Sequence, residues 1–249
     1  MWKIWSPPRP LRERLIESGD ELLKRFMKEF PGVSDRVLAN LSRDVIHEAI
    51  QALDLGVPKE LVLKYHLKPW NEKSGTDINR FMQIKGNYAR KRLFHEKGLD
   101  KVVKRMKPFK VEFLDEATKR IKLMNIYVIT EPSHPVPVSR WINAVRDPFG
   151  HYPRLGFRAF DACPNGKQVF EELKEEIRKA VDSDPKALPS LAERLIKLEK
   201  LKQEDFIFFR ICDLTVGEPI VKEHYSYIDR PCGFCGQRHR TWIVLREVS

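Results

Sequence analysis

The residues of this chain best suited to chemistry are the two closely spaced cysteines of the segment Cys232-Gly233-Phe234-Cys235-Gly236. Two thiolates separated by two residues can bind one tetrahedral metal ion, because the turn between them directs backbone amides at the sulfurs. Glycine relieves the tight backbone geometry of such a turn. We expect a cytoplasmic protein, in which a disulfide framework is disfavoured, so the pair indicates a metal site first.

A structural metal site needs four ligands, and two further residues must complete the pair. The candidates are Cys163, Cys212, His224 and His239. If the C-terminal strands form a meander, Cys212 lies about 20 Å from the pair, at about 3.3 Å per residue. Cys163 lies in a turn that can approach the ion, and His239 follows the pair by four residues. We predict a structural zinc ion held by Cys163, Cys232, Cys235 and His239, with His224 as the alternative ligand.

Placed between two strands, the cysteine pair resembles the knuckle hairpin of zinc ribbons and rubredoxin-like modules. The resemblance covers about ten residues and is one of local structure rather than of family. Pro231 completes half of the signature of the zinc nucleoside deaminases, Pro-Cys-x-x-Cys. The other half, His-x-Glu or Cys-x-Glu upstream, does not occur in the sequence, so we exclude a deaminase. The alternative to zinc is a reduced dithiol without a metal.

The second chemical feature is a concentration of positive charge. The chain carries 46 Lys and Arg against 35 Asp and Glu, a net charge of +11. Residues 79–122 hold 14 of the basic and 5 of the acidic residues, whereas 1–78 and 123–249 contribute only +1 each. Such a concentration repels itself unless a partner neutralises it. Aromatic residues lie between the cations, so the pattern favours a nucleic acid, with phosphates for the cations and bases for the rings.

We predict that the contacts to nucleic acid come from this basic segment and from the arginines beside the cysteine pair. They are Arg80, Lys85, Tyr88, Arg90, Lys91, Arg92, Lys97, Lys101, Lys104, Arg105, Lys107, Arg238 and Arg240. A membrane surface is disfavoured because Gly86, Gly98 and Pro108 divide the segment into pieces too short for a long amphipathic helix. The alternative is a solvated helix face whose aromatic residues point into the core.

A short segment around Gly56 resembles the helix-turn-helix of bacterial and archaeal regulators. Ala52 lies four residues before the glycine, and Val62 and Tyr65 fall where the second helix packs inward. The resemblance implies that the major groove of duplex DNA is contacted by Lys59, Glu60, Leu63 and Lys64. Gln51 departs from the pattern, which usually has an apolar residue there.

The spacing of Arg90 and His95 is similar to the Arg-x4-His motif of HEPN ribonucleases, which implies assisted attack of a 2′-hydroxyl. On an unbroken helix the two side chains are about 140° apart. The sequence contains no P-loop, no dinucleotide-binding fingerprint, no Gly-x-Ser-x-Gly and no His-Glu-x-x-His. It also lacks a carboxylate cluster of the kind that holds two metals. We therefore expect a binding protein rather than an enzyme.

The elements that must position these residues change in character along the chain. Apolar residues with a helical period predict one helix up to Phe30, a second capped at Ser34 or Asp35 and running through Leu53, and a third after Pro58. Further helices are predicted over 78–107, and as a pair over 169–198. Alternating patterns predict strands at 124–129 and, as a three-stranded meander, after residue 206.

We therefore predict an α+β protein. Residues 1–125 form a helical, basic, nucleic-acid-binding portion. Residues 126–249 form an α+β portion whose two helices and small antiparallel sheet carry the zinc knuckle. The alternative is that both portions belong to one domain.

The amino-acid composition narrows the class of protein further. With 42% hydrophobic and 10% aromatic residues, the chain is neither a disordered tail nor a fibrous repeat. The N-terminus lacks the apolar region of a signal peptide, which is why we expect a cytoplasmic protein. Abundant Lys, Arg and Glu are typical of proteins from hot habitats.

The function that we predict is sequence-tolerant binding of RNA or single-stranded DNA by a subunit of a larger nucleoprotein complex. The alternatives are a helix-turn-helix DNA-binding regulator, a protein-interaction scaffold with structural zinc, and a ribonuclease.

Overall fold

The computed structural model describes residues 13, 19–69, 75–115, 120–136, 143–146, 153–204, 206–210 and 222–248. These residues form helices and antiparallel sheets, which confirms the α+β class. The chain folds into two compact units, residues 1–92 and 93–249, and each is described by itself. The predicted division, between residues 125 and 126, lies within a strand.

The described part of the first unit is helical. Its helices are α1 (Glu21–Glu29), α2 (Asp35–Asn40), α3 (Arg43–Asp54), α4 (Lys59–Val62) and most of α5 (Gly75–Glu96). Ser34 and Ser42 begin α2 and α3 by accepting hydrogen bonds from backbone N–H groups of the first turn. The single helix predicted from Ser34 through Leu53 is therefore wrong, because Leu41 is extended and Ser42 caps a new helix.

A buried histidine joins three helices of this unit. After α4 the chain continues as a π-helical turn, Leu63–Leu67, which carries His66. The ring of His66 stacks on Phe81 of α5 with centroids 4.1 Å apart, and its Nε2 lies 2.9 Å from the carbonyl oxygen of Val45 on α3. Burial lowers the pKa of His66, because an apolar surrounding disfavours the imidazolium. The neutral ring therefore donates its Nε2 proton to Val45.

The second unit contains a five-stranded antiparallel sheet. Its strands are β1 (Phe109–Asp115), β2 (Arg120–Thr130), β3 (His134–Pro135), β7 (Glu223–Pro231) and β8 (Arg238–Glu247). The order is β1-β2-β8-β7, and β3 pairs with β2. On one face of the sheet, Phe94 and the short helix α6 (Leu99–Val103) pack on buried Tyr225 and Trp242.

A three-stranded sheet covers the other face. It consists of β4 (Asn143–Arg146), β5 (Pro153–Arg158) and β6 (Phe206–Arg210), in the order β4-β5-β6. Phe157 and Phe209 of this sheet share a buried cluster with Ile126 and Ile243 of the larger one. The predicted meander is wrong, because β6 pairs with β5 and only β7 and β8 are neighbours. An alternating pattern identifies a strand but does not determine its partner.

Two long helices complete the second unit. They are α7 (Gly166–Ser183) and α8 (Leu188–Glu204), joined by the 3₁₀ turn Pro185–Ala187. Phe170 and Leu198 belong to one apolar cluster with Phe234, so the helix pair packs on the cysteine segment. In the part of the chain that the structure describes, every helix is too short or too polar to cross a membrane.

Candidate metal centre

The two closely spaced cysteines lie in the turn that closes the β7–β8 hairpin. Within this cysteine turn (residues 232–236), the N–H of Gly236 donates to the carbonyl of Cys232 over 2.9 Å. Gly236 has a φ of +71°, a conformation that other residues adopt only with strain. The N–H of Phe234 donates to Cys232 Sγ over 3.4 Å. The backbone of the turn thus stabilises negative charge on a sulfur, as a ligand thiolate requires.

Cys163 and His239 join the cysteine turn from two other elements. Cys163 lies in the turn before α7, where its N–H donates to the carbonyl of Phe160 over 3.1 Å. His239 is the second residue of β8. Cys163 Sγ lies 3.8 Å from Cys235 Sγ and 3.9 Å from His239 Nε2, and the last two atoms are 2.9 Å apart. All four predicted ligand atoms lie within 4.8 Å of one another.

The sulfurs influence one another's ionisation. The thiol of Cys163 donates to Cys232, which lowers the pKa of Cys232, and the N–H groups of Cys235 and Phe234 act in the same direction. The same hydrogen bond, together with burial, raises the pKa of Cys163, which is only 6% exposed. These two shifts favour a thiolate at Cys232 and a protonated thiol at Cys163. Because metal ligands must be thiolates, binding of a cation would release the proton of Cys163.

Aromatic packing holds the cysteine turn against the segment that carries Cys163. The buried ring of Phe234 lies 5.0 Å from Phe160 and 5.6 Å from Phe170, measured between centroids. Gly166 is required at the start of α7, since a Cβ there would lie 2.9 Å from the ring of Phe160. These contacts fix the distance between two segments that are remote in sequence, so they position the ligands before any ion binds.

The arrangement offers three sulfurs and one nitrogen, a donor set compatible with zinc. Among the described residues it is the single group of three or more His, Cys, Asp or Glu side chains close enough to hold an ion. The alternative ligand His224 is not part of the group, because it is the second residue of β7 and the cysteine turn follows the last. Its Nε2 lies 2.6 Å from Ser226 Oγ on the same strand. Cys212 lies outside the described residues.

The residues predicted to contact nucleic acid divide between the two units. On α5 in the first unit, Lys85 forms an ion pair with Glu48 and lies 2.8 Å from Gln51 Oε1, and its side chain is only 15% exposed. The guanidinium of Arg80 lies over the ring of Tyr65. Arg92 is exposed, and partly buried positions are held by Tyr88, Arg90 and Lys91. Lys85 therefore ties α5 to α3 rather than facing the solvent.

In the second unit, two of the predicted cations have acidic partners. Lys97 pairs with Glu131 at 2.6 Å, and Arg240 pairs with Asp229 at 2.9 Å. Four others, which we call the α6 cations, are Lys101, Lys104, Arg105 and Lys107. All four are exposed, and none forms an ion pair with a described residue. The last turn of a helix attracts cations, but its dipole offsets only part of their mutual repulsion.

The segment that resembles a helix-turn-helix lies in the first unit. Gly56 has a φ of +86° between α3 and α4, and Ala52, Val62 and Tyr65 are buried. The residues assigned to the groove are all exposed: Lys59, Glu60, Leu63 and Lys64. The two residues of the ribonuclease-like motif, Arg90 and His95, lie five residues apart on the continuous helix α5. Their side chains therefore point about 140° apart around the helix.

Sequence reasoning missed Tyr227 on β7, which is 37% exposed and whose ring centroid lies 4.6 Å from the guanidinium carbon of Arg240. The alternation of tyrosines at 225 and 227 predicts a strand but not which ring reaches the surface.

The site and fold define a mixed helix and sheet protein with a Cys3His group that can hold a metal ion. No protein-family model, curated protein or solved structure matches the chain.

Proposed function

We propose that the protein binds nucleic acid with little sequence preference, as a subunit of a larger nucleoprotein complex, and that a structural zinc ion stabilises its second unit. The observation that carries the binding proposal is the group of α6 cations, which lack acidic partners among the described residues. Phosphates neutralise such cations and release counterions from the nucleic acid, which supplies the free energy of sequence-independent binding.

The zinc proposal is supported by the distances between the ligand atoms. Zn–S bonds of about 2.3 Å in a tetrahedron place two sulfurs about 3.8 Å apart, and a sulfur and a histidine nitrogen about 3.6 Å apart. Cys163 lies 3.8 Å from Cys235 and 3.9 Å from His239. The 2.9 Å between Cys235 and His239 has to lengthen by about 0.7 Å. Four protein ligands leave no open position, which is why the role is structural.

Metal content tests this assignment. Protein purified with its native metal is expected to contain one zinc ion per chain, and cobalt substitution is expected to give the absorption of a tetrahedral thiolate site. Cys235→Ser should lose the metal, whereas the matched control Cys212→Ser should retain it. If the wild-type protein is purified without metal and also fails to bind added zinc, the proposal is contradicted. The cysteine pair is then a reduced dithiol without a metal.

Binding to labelled single-stranded RNA across a salt series tests the α6 cations. The variant K101Q/K104Q/R105Q/K107Q is expected to bind more weakly to all sequences, and the slope of log affinity against log salt should fall by about 0.7 for each phosphate that the variant no longer neutralises. The matched control is K174Q/R178Q/R194Q/K202Q, which removes four cations that are paired with glutamates on α7 and α8. This control changes the net charge equally and should bind almost as wild type.

Equal losses of affinity in the two variants would mean that only net charge matters, and the α6 cations would not be the contact surface. A wild-type protein without salt-dependent binding would contradict the whole proposal and favour the protein-interaction scaffold.

A second candidate function is duplex DNA recognition by the helix-turn-helix. The left-handed conformation of Gly56 and the burial of Val62 and Tyr65 favour it. This function predicts a dimer that binds a palindromic site. Selection from random duplexes should then enrich a palindrome, and a collection without any consensus would reject the candidate.

A further inference from the structure

We infer that Tyr227 is a stacking platform for an unpaired base of a single-stranded nucleic acid. This inference rests on the proposed function and deepens it, because it names the form of nucleic acid and the residue that selects it. Tyr227 lies on β7 and is 37% exposed, although its cross-strand partner Trp242 is fully buried. A large aromatic ring on the surface beside cations is suited to a base with a phosphate next to it.

The ring of Tyr227 is held in place by its neighbours. The ring of Trp242, on the neighbouring strand β8, packs against it with centroids 4.8 Å apart and the ring planes at 56°. The guanidinium carbon of Arg240 lies 4.6 Å from the centroid of Tyr227. Arg240 is itself fixed by Asp229, whose carboxylate accepts a hydrogen bond from it over 2.9 Å. The platform therefore loses little conformational entropy when a ligand binds.

A second layer of contacts fixes the tryptophan. The indole Nε1 of Trp242 donates to Glu131 over 2.7 Å, and Lys97 pairs with the other carboxylate oxygen of Glu131 at 2.6 Å. Because this carboxylate binds both the indole and the ammonium group, the orientation of Trp242 is determined before any ligand arrives. Trp242, against which Tyr227 packs, is therefore both buried and fixed in orientation.

The charge around the platform matches a phosphate backbone. Arg238 follows the face of β8 that carries Arg240, since residues two apart in a strand share a face. Arg238 is exposed and forms no ion pair with any residue that the structure describes. A cation two residues from the stacked arginine can hold the phosphate that adjoins a base on Tyr227.

The geometry favours a single strand over a duplex. In a duplex the faces of the bases are covered by their neighbours, and a protein reaches only the base edges in the grooves. An unpaired base offers its face to an aromatic ring, whatever its sequence. RNA and single-stranded DNA share this chemistry, and the binding measurements compare the two.

The test measures fluorescence anisotropy of labelled RNA, single-stranded DNA and duplex DNA with the zinc-loaded full-length protein. Tyr227→Phe keeps the ring and should bind within about 2-fold of wild type, whereas Tyr227→Leu should bind single strands about 5-fold or more weakly. The salt slope should stay unchanged in Tyr227→Leu, because no charge is removed. Ile196→Ala on α8, at a side chain that is 70% exposed, serves as the control for loss of a surface apolar group.

A second readout reports stacking directly. Strands that carry 2-aminopurine should lose fluorescence on binding to wild type and to Tyr227→Phe, and should keep more of it with Tyr227→Leu. Zinc content and circular dichroism of Tyr227→Leu must match wild type, and Tyr227→Met is the replacement if they do not.

The outcomes separate this inference from the proposed function. If wild type binds single strands and Tyr227→Leu binds them equally well, Tyr227 is not a platform although nucleic-acid binding stands. Preference of wild type for duplex, or an equal loss of affinity for duplex and single strand in Tyr227→Leu, also overturns the inference. Absence of binding to every nucleic acid overturns the proposed function itself.

Discussion

The candidate metal centre and the α6 cations belong to the same unit but relate differently to their surroundings. At the metal centre, four ligand atoms from three segments lie within 4.8 Å, and Phe234 packs beside them in an apolar cluster. Around α6, four cations are exposed without an ion pair to any described residue. Groups that satisfy one another stabilise a fold, whereas groups left unsatisfied at the surface are available to a ligand. Substitutions at the candidate metal centre should therefore lower the stability of the fold, whereas substitutions of the α6 cations should weaken ligand binding and leave stability unchanged.

Removal of the metal is the strongest test of that difference. Structural zinc contributes about 10–16 kcal/mol to the folding of isolated zinc-finger peptides. Here the aromatic cluster also supports the turn, and we expect a loss on the order of 5 kcal/mol in the local stability of the cysteine turn, α7 and α8. Hydrogen exchange with and without chelator should show faster exchange in these segments, while α3 in the first unit stays protected. Unchanged protection after complete metal loss would mean that zinc contributes nothing to stability.

Phe234→Ala separates packing from metal binding in the same region. Phe234 is 6% exposed and contacts two other phenylalanine rings, so its truncation should lower the free energy of unfolding by about 3–4 kcal/mol. Zinc affinity should fall as well, because Cys163 loses its fixed distance from the turn. Chemical denaturation of zinc-loaded protein measures the effect, with Ile196→Ala as a surface control that changes stability by under about 0.5 kcal/mol. Equal stability of the two variants would contradict the supporting role of the aromatic cluster.

The contrast extends to individual lysines of the basic segment. Lys85 is mostly buried between Glu48 and Gln51, so Lys85→Gln should destabilise the first unit by about 1.5–3 kcal/mol, the range for hydrogen bonds to charged groups. Lys104→Gln removes an exposed α6 cation and should leave stability unchanged while it weakens binding. Denaturation and binding measured on both variants give the comparison. A binding loss in Lys85→Gln at full stability would show that Lys85 contacts the ligand after all.

The sequence is informative where chemistry is local. The spacing of Cys232, Cys235 and His239 lies within one hairpin, so residue types alone suffice to propose it. Cys163 is predictable because the Pro-Asn-Gly turn after it leads into a helix. The partner of β6 is not predictable, since Phe206–Arg210 is apolar on both faces and long-range packing decides which strand lies beside it. The exposure of Tyr227 depends on the same long-range packing.

The number of cations in a segment of sequence does not give the number that can bind a phosphate. Lys85 and Lys101 look alike in the sequence, but only the first has an acidic partner on another helix among the described residues. Net charge over 79–122 therefore overstates the number of cations available to phosphate. The exposed subset can be recognised only once the helices are packed, because side-chain partners come from residues that are remote in the chain.

His66 provides the smallest and most localised test, since the first unit has no candidate metal site among its described residues. Burial holds the pKa of His66 below its ordinary value of 6.5, so the unfolded chain takes up a proton at a pH where the folded unit does not. The stability of this unit is therefore complete above pH 6.5 and declines as the pH falls below it, by at most about 1.4 kcal/mol per pH unit. Glu48 raises this pKa and Lys85 lowers it, and both effects are smaller than that of burial. Hydrogen exchange of α3 and α4, corrected for the intrinsic rate and measured between about pH 5 and 7, should show this decline in wild type and lose it in His66→Phe. A decline that persists in His66→Phe would assign it to the carboxylates instead and leave the histidine as a packing residue only.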